Sequence, residues 1–229
     1  IKGQKIISVK RRSKYLLIHL SRDFTILAHL GMTGKFFIID KNNNKQKTSF
    51  YYSINKNESK HDHLTLYLDK GLKLIYNDVR KFGFLKLFET KNIYKSNHLK
   101  LLGPEPLTKE FNLNYIVKYI VNKKKKIKDL LMDQKFVSGL GNIYCNEILF
   151  SCRLNPEKIV LKINKKELSN IVKFTKHILK ISIIKGGSSI KNFANVEGKI
   201  GRFQQKFNVY GREKSKCNRK NCSGVIQKM

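Results

Sequence analysis

The chain is 229 residues long and carries 48 Lys and Arg against 16 Asp and Glu, a net charge of +32. A hydrophobic fraction of 41% that includes 14 Phe and 10 Tyr is enough to build cores, which excludes a disordered basic tail, and no uninterrupted apolar run reaches the ~18 residues needed to span a bilayer. So basic a chain needs an anionic partner, and with neither a membrane anchor nor a lipidation signature the leading one is nucleic acid phosphate. Lys outnumbers Arg by 40 to 8, so part of the excess fits drift towards AT-rich codons, but drift does not explain the scarcity of carboxylates.

From residue 5 to about 90 the pattern is one of short strands. Leu64, Leu66 and Leu68 alternate with polar residues, Asp69-Lys70-Gly71 supplies turn chemistry, and Leu72, Leu74 and Tyr76 resume the alternation; this predicts a β-hairpin. Further strands are expected at 14–20, 24–29, 35–39 and 84–88, giving an antiparallel sandwich or barrel. The stretch 41–60, rich in Asn, Lys and Ser, reads as a solvated loop. Leu101-Leu102-Gly103-Pro104-Glu105-Pro106 is an extended connector, because each proline disfavours helix in the residue before it. Helical spacing follows at 112–121, 127–133, 142–152 and 166–184. In the last of these Leu168, Ile171, Val172, Ile178 and Leu179 share one face while Lys173, Lys176 and Lys180 share another, and Gly186-Gly187 stops it.

The segment 127–150 is the most telling. A short helix runs into Gln134-Lys135-Phe136-Val137-Ser138-Gly139-Leu140-Gly141, and a second helix starts at Asn142. Glycines at 139 and 141 let the backbone approach a phosphate, and the free N–H groups of the second helix receive its charge. An ordinary helical hairpin with Asn142 as N-cap remains the alternative on spacing alone.

Gly139-Leu140-Gly141-Asn142-Ile143-Tyr144 followed by Glu147 resembles the helix-two-turn-helix signature of formamidopyrimidine-DNA glycosylases, which excise oxidised purines. Other stretches match in order: Arg11-Arg12-Ser13-Lys14-Tyr15, His29-Leu30-Gly31-Met32-Thr33-Gly34, Lys60-His61-Asp62-His63, Asp78-Val79-Arg80-Lys81-Phe82-Gly83, Leu102-Gly103-Pro104-Glu105-Pro106-Leu107, Gly186-Gly187-Ser188-Ser189 and Val209-Tyr210-Gly211-Arg212. The resemblance covers essentially the whole chain. It implies an α+β fold with an antiparallel β-sandwich over residues 1–100, a helix-two-turn-helix domain over 101–197 and part of a zinc-ribbon hairpin over 198–229.

It also implies residue roles. Met32, Arg80 and Phe82 match the side chains that fill the gap left when the damaged nucleotide is turned out of the duplex, where apolar wedges and a guanidinium for the orphaned base offset a few kcal/mol of lost stacking. Lys14 matches the lesion-pocket lysine credited with proton transfer. His61, Arg80, Lys123, Lys128 and Asn142 match DNA contacts, and Lys81 stands where a second arginine is usual, keeping charge but not bidentate geometry. His61-Asp62-His63 could be taken for a metal pair, but no third ligand is in view, so a phosphate contact is preferred for His61.

Cys145 and Cys152 are seven residues apart on one predicted helix, about 10.5 Å of rise, too far for a disulfide, and are expected in the core. Cys217 and Cys222 resemble the first half of the family's four-Cys ribbon for a structural Zn²⁺; two thiolates alone should not hold zinc tightly. The chain opens at Ile1 without a leader and closes at Met229 just after the Cys pair, as a fragment would. The family nucleophile, an N-terminal proline amine followed by a glutamate, is expected ahead of Ile1, so these 229 residues alone are expected to bind duplex DNA weakly without cleaving it.

The function implied for the parent protein is that of a DNA glycosylase and abasic-site lyase releasing 8-oxoguanine and formamidopyrimidines. It would act as a monomer on duplex DNA, away from membranes, in the cytoplasm of a bacterial-type cell with its nucleoid. Two alternatives stay open: a non-catalytic damaged-DNA-binding remnant of the same family, and an RNA-binding ribosomal-type protein suggested by charge only.

Overall fold

The computed structural model describes residues 1–42, 44–47, 59–187 and 207–228. Residues 48–58 of the stretch read as a loop, Ser188 and Ser189 of the glycine-serine motif, and the boundary at 197/198 lie outside them. The described residues divide into two compact units, one formed by residues up to Lys100 and the other by residues 101–187 and 207–228.

The first unit contains eight strands among the described residues: β1 Ile6–Arg12, β2 Tyr15–Leu20, β3 Phe24–His29, β4 Gly34–Ile39, β5 Lys45–Lys47, β6 Asp62–Tyr67, β7 Lys73–Asp78 and β8 Phe84–Glu89. They form two antiparallel four-stranded sheets in the orders β1-β2-β3-β8 and β5-β4-β7-β6. The hairpin expected around Asp69-Lys70-Gly71 is β6–β7, with Lys70 in the left-handed region (φ 58°). β5 corrects the reading of 41–60 as loop throughout: its three polar residues carry no alternation, and pairing with β4 makes them a strand. Ile18, Leu20, Ile26, Ala28, Phe36 and Tyr76 form a common core; each fully buried large apolar side chain contributes ~1.5–3 kcal/mol.

Register matters most for function. His29 at the end of β3 pairs with Phe84 at the start of β8, and Gly34 at the start of β4 pairs with Asp78 at the end of β7. β3 and β8 lie in one sheet and β4 and β7 in the other. The connections 30–33 and 79–83 therefore both cross between sheets, and both start and finish at paired residues, which obliges them to run side by side.

The second unit holds α1 Leu113–Ile120, α2 Ile127–Met132, α3 Asn142–Cys152 and α4 Lys165–Ile184. Asn112 caps α1 by accepting from the Tyr115 N–H at 2.9 Å. α4 begins with a reciprocal capping box between Asn164 and Glu167, and Gly186 and Gly187, both at positive φ, follow its end. Leu130, Leu131, Phe136, Val137, Leu140, Ile148 and Leu149 are fully buried or nearly so in a core shared by α2, α3 and the turns between them. Cys145 and Cys152 lie in that core as free thiols, and burial pushes the Cys152 thiol up to about 12.

Candidate nucleic-acid interface

The paired crossings of the first unit converge on one carboxylate. Asp78 has no exposed surface, yet both oxygens are fully used. Oδ1 accepts from the Thr33 hydroxyl at 2.5 Å and from the Arg80 N–H at 3.2 Å; Oδ2 accepts from the Gly83 N–H at 2.8 Å and the Tyr76 hydroxyl at 3.1 Å. Burial alone would raise its pKa, but these bonds outweigh it and hold the carboxyl below its usual range. The Asp78 carbonyl is bonded by His63 Nε2 at 2.8 Å, and Asn77 Nδ2 donates to Asp62 at 2.7 Å, so His61-Asp62-His63 is stitched to β7.

Above this carboxylate Met32, Arg80 and Phe82 form one contiguous group. The Arg80 guanidinium donates to Met32 Sδ at 3.1 Å and lies 4.6 Å from the centre of the Phe82 ring. Met32 is 63% and Phe82 58% exposed, so these apolar side chains belong to the surface and not to the core. Two residues adopt left-handed backbone to allow it, Gly31 and Lys81, each at φ 57°. A Cβ on Gly31 would lie 2.8 Å from the Phe82 carbonyl carbon, which shows how closely the two crossings touch.

Lys14 sits exposed in the tight β1–β2 turn beside Ser13, whose φ is 56°. Tyr15 pairs with His29 across β2 and β3, bringing the lysine near that histidine. The His29 ring packs with those of Tyr15 and Phe84, with centroids 5.0 and 5.8 Å away, and its Nδ1 accepts from the Gly31 N–H at 3.1 Å. Burial, then the charges of Lys14 and His98, depress its pKa, which keeps Nδ1 free to accept. His29 heads one of the stretches that match the family, but a histidine closing a strand has no periodic signature that would assign it a role. His61 is half-buried at the end of a single helical turn, Ser59–His61, and Lys81 is exposed.

In the second unit the two turns between α2 and α3 are organised by Gln134. Its Nε2 donates to the carbonyls of Met132 and Leu140 at 3.0 and 2.8 Å, and its Oε1 accepts from Gly139 N–H at 2.8 Å. Gly139 sits at φ 100°, whereas Gly141, at φ −130°, is ordinary extended backbone and forms the N-cap of α3. The second helix starts at Asn142, as its spacing implies, and the N-cap that the alternative of an ordinary helical hairpin gave to Asn142 is Gly141 instead; Asn142 is exposed. Lys128 and Asn142 line one cleft of about 670 Å³, with Asn146, Arg153, Arg219 and Lys228 also on its walls. Lys123 is not among the cleft's lining residues; its ammonium lies 4.6 Å from the Tyr119 ring centre.

Buried Glu147 ties the tail to α3. It accepts from the N–H groups of Asn208, Val209 and Tyr210 and from the Asn208 side chain, all at 2.9–3.1 Å. Arg219 donates to the Phe150 carbonyl and stacks on the Phe150 ring at 3.9 Å. The tail then forms a tight hairpin in which Cys217 N–H bonds to the Gly224 carbonyl at 2.8 Å. The Cys222 pKa is lowered by a backbone hydrogen bond at Gly224 and another from the Cys217 thiol. Among the described residues no group of three or more His, Cys, Asp or Glu comes together.

Comparison with known proteins decides the family. A family model described as the formamidopyrimidine-DNA glycosylase N-terminal domain matches residues 1–85, and one described as that enzyme's H2TH domain matches residues 102–194. The chain belongs to the formamidopyrimidine-DNA glycosylase family.

Among relatives bearing that family name, the one from Bartonella tribocorum is 41% identical over 225 residues, spanning 94% of this chain and 76% of the relative. That from Rickettsia felis is 36% identical over all of this chain and 77% of its own length. Two solved structures of the Lactococcus lactis glycosylase are similar over 99% of this chain and 77% of theirs. One is a complex with DNA containing an abasic site, at TM-score 0.81 and 34% identity, and the other a complex with DNA containing N7-benzyl-Fapy-dG, at TM-score 0.82 and 33% identity. In this glycosylase-family chain, among the described residues, no helix is long and apolar enough to cross a membrane.

Proposed function

We propose that the full-length protein to which this chain belongs carries out base-excision repair of oxidised purines in duplex DNA, releasing 8-oxoguanine and formamidopyrimidines and cutting the abasic strand by β,δ-elimination. The observation that carries the reading is the exposed cluster of Met32, Arg80 and Phe82 on two crossings locked to one carboxylate. A thioether and a phenyl ring exposed side by side can enter a base stack, and the guanidinium that contacts both can hydrogen-bond an unpaired base. Lys14 moves a proton in the lesion pocket, and His61, Lys81, Lys123, Lys128 and Asn142 grip phosphates. Asn142 does so at the N-terminus of the eleven-residue helix α3, whose free N–H groups favour an anion. Family membership, and not charge, selects DNA over RNA.

Cys217 and Cys222 would hold half of a structural zinc, which when bound would stiffen the ribbon hairpin. The test of the function is direct. The full gene product is incubated with a duplex bearing one 8-oxoguanine, with borohydride present to trap an imine adduct. Strand scission and a covalent protein–DNA band are expected, both reduced at least tenfold by Lys14→Ala; a duplex left intact with no adduct would sink the proposal.

A further inference from the structure

We propose that Asp78 is a positioning residue that aims the gap-filling side chains: one buried carboxylate sets Met32, Arg80 and Phe82 together, through Thr33, the Arg80 amide and the Gly83 amide. The inference rests on the gap-filling reading of those three side chains and adds what holds them in register. Each bond lies within one residue of a wedge. Thr33 follows Met32, the Arg80 amide belongs to the wedge itself, and Gly83 follows Phe82.

Thr33 makes the coupling two-way. Its oxygen accepts from the Arg80 N–H at 3.0 Å while its hydroxyl donates to Asp78, so one side chain bonds to both the carboxylate and the opposite crossing. A core role alone would not call for this arrangement. Of the four donors on the carboxylate only Tyr76 comes from a core strand; the other three come from the crossings. An ionised group of this kind accepts stronger hydrogen bonds than a neutral one and loses all of them together if it is replaced.

The test measures affinity for three duplexes at fixed salt. One contains a tetrahydrofuran abasic site opposite cytosine, one is undamaged, and one contains the tetrahydrofuran opposite a second tetrahydrofuran, so that no orphaned base remains. Thr33→Val removes the bridge while keeping the shape. It should lower the preference for the first duplex over the second by about tenfold, with undamaged binding unchanged, and Thr33→Ser should restore it. On the third duplex Thr33→Val should lose less affinity than on the first, since Arg80 has no base to hold there while Met32 and Phe82 still enter the gap; a merely structural defect would weaken all three equally. Asp78→Asn should reproduce the pattern more strongly.

Two outcomes overturn the inference. Thr33→Val and Asp78→Asn could retain the wild-type preference while Met32→Ala and Arg80→Ala lose it, or the Thr33 and Asp78 variants could lose all three affinities equally. Should Met32→Ala and Arg80→Ala themselves keep full preference, the gap-filling reading fails and takes the inference with it.

Discussion

Charged residues without exposed surface explain themselves only through their partners, and here the partners are what the motif spacing does not reveal. Asp78 has the same strand parity as Leu74 and Tyr76, so the alternation places it on the inward face; an inward carboxylate must be satisfied, but which donors reach it depends on the 34–78 pairing across β4 and β7. Gly31 tests the closeness of the crossings at this scale. Gly31→Ala must adopt left-handed backbone and push its methyl against the Phe82 carbonyl carbon. It should cost more than ~1 kcal/mol in urea unfolding and lower the preference for abasic duplex, whereas Gly3→Ala, at φ 74° with open space around its Cβ, should cost only the backbone strain.

Three histidines of the first unit add a pH dependence. His19, His29 and His98 all have pKa values depressed below the ordinary 6.5, chiefly by burial, with Lys10, Lys14, His98 and Lys86 adding repulsion. For a base with a depressed folded pKa, the unfolded state binds more protons once the pH falls below 6.5, so stability declines from there downward. Protonating His29 also removes the Nδ1 lone pair that receives the Gly31 N–H. Thermal unfolding of the wild type should therefore shift to lower temperature between about pH 7 and 5, and His29→Asn should flatten part of that dependence. Asp78 acts in the opposite range. Its depressed pKa keeps its contribution present above the usual carboxylate range and removes it only under strong acid.

At the level of elements, most boundaries were legible because periodicity is a local property. β3 runs from Phe24 to His29 and α3 from Asn142 to Cys152 as the pattern implies. β5 was not legible, since Lys45–Lys47 owes its conformation to a neighbour and not to its own side chains. Nor was the bond between α3 and the tail. Glu147 lies among the apolar positions of α3, and nothing local says that its oxygens meet a turn 60 residues later. Glu147→Ala removes a buried acceptor of four hydrogen bonds and leaves the Asn208–Tyr210 amides without a protein partner for those bonds. A loss of about 3 kcal/mol or more is expected, with hydrogen exchange of those amides rising by orders of magnitude. Asn164→Ala, which removes only the α4 cap, should cost about 1 kcal/mol and leave amides 208–210 as protected as before. Equal exchange in both variants would mean that the tail is held by something other than Glu147.

The charge of the whole molecule can be separated into parts by salt. A duplex binder that neutralises Z phosphates loses affinity with a slope of about −0.9Z in log K against log salt, and +32 sets no value for Z, because lysines on outward faces need not meet a phosphate. Lys128 lines the cleft with Asn142 at the start of α3, while Lys173 lies exposed on α4. Lys128→Ala should reduce the magnitude of the salt slope by about 1 on undamaged and abasic duplexes alike, leaving the ratio between them intact. Met32→Ala carries no charge change, so it should do the reverse, lowering the preference for abasic duplex at every salt concentration without altering the slope. Lys173→Ala should change neither. These outcomes follow if a few placed contacts grip the backbone while the two crossings read the gap. A slope that falls equally for Lys128→Ala and Lys173→Ala would instead mean that the chain holds DNA through a diffuse basic field, with the cleft beside α3 having no special part in it.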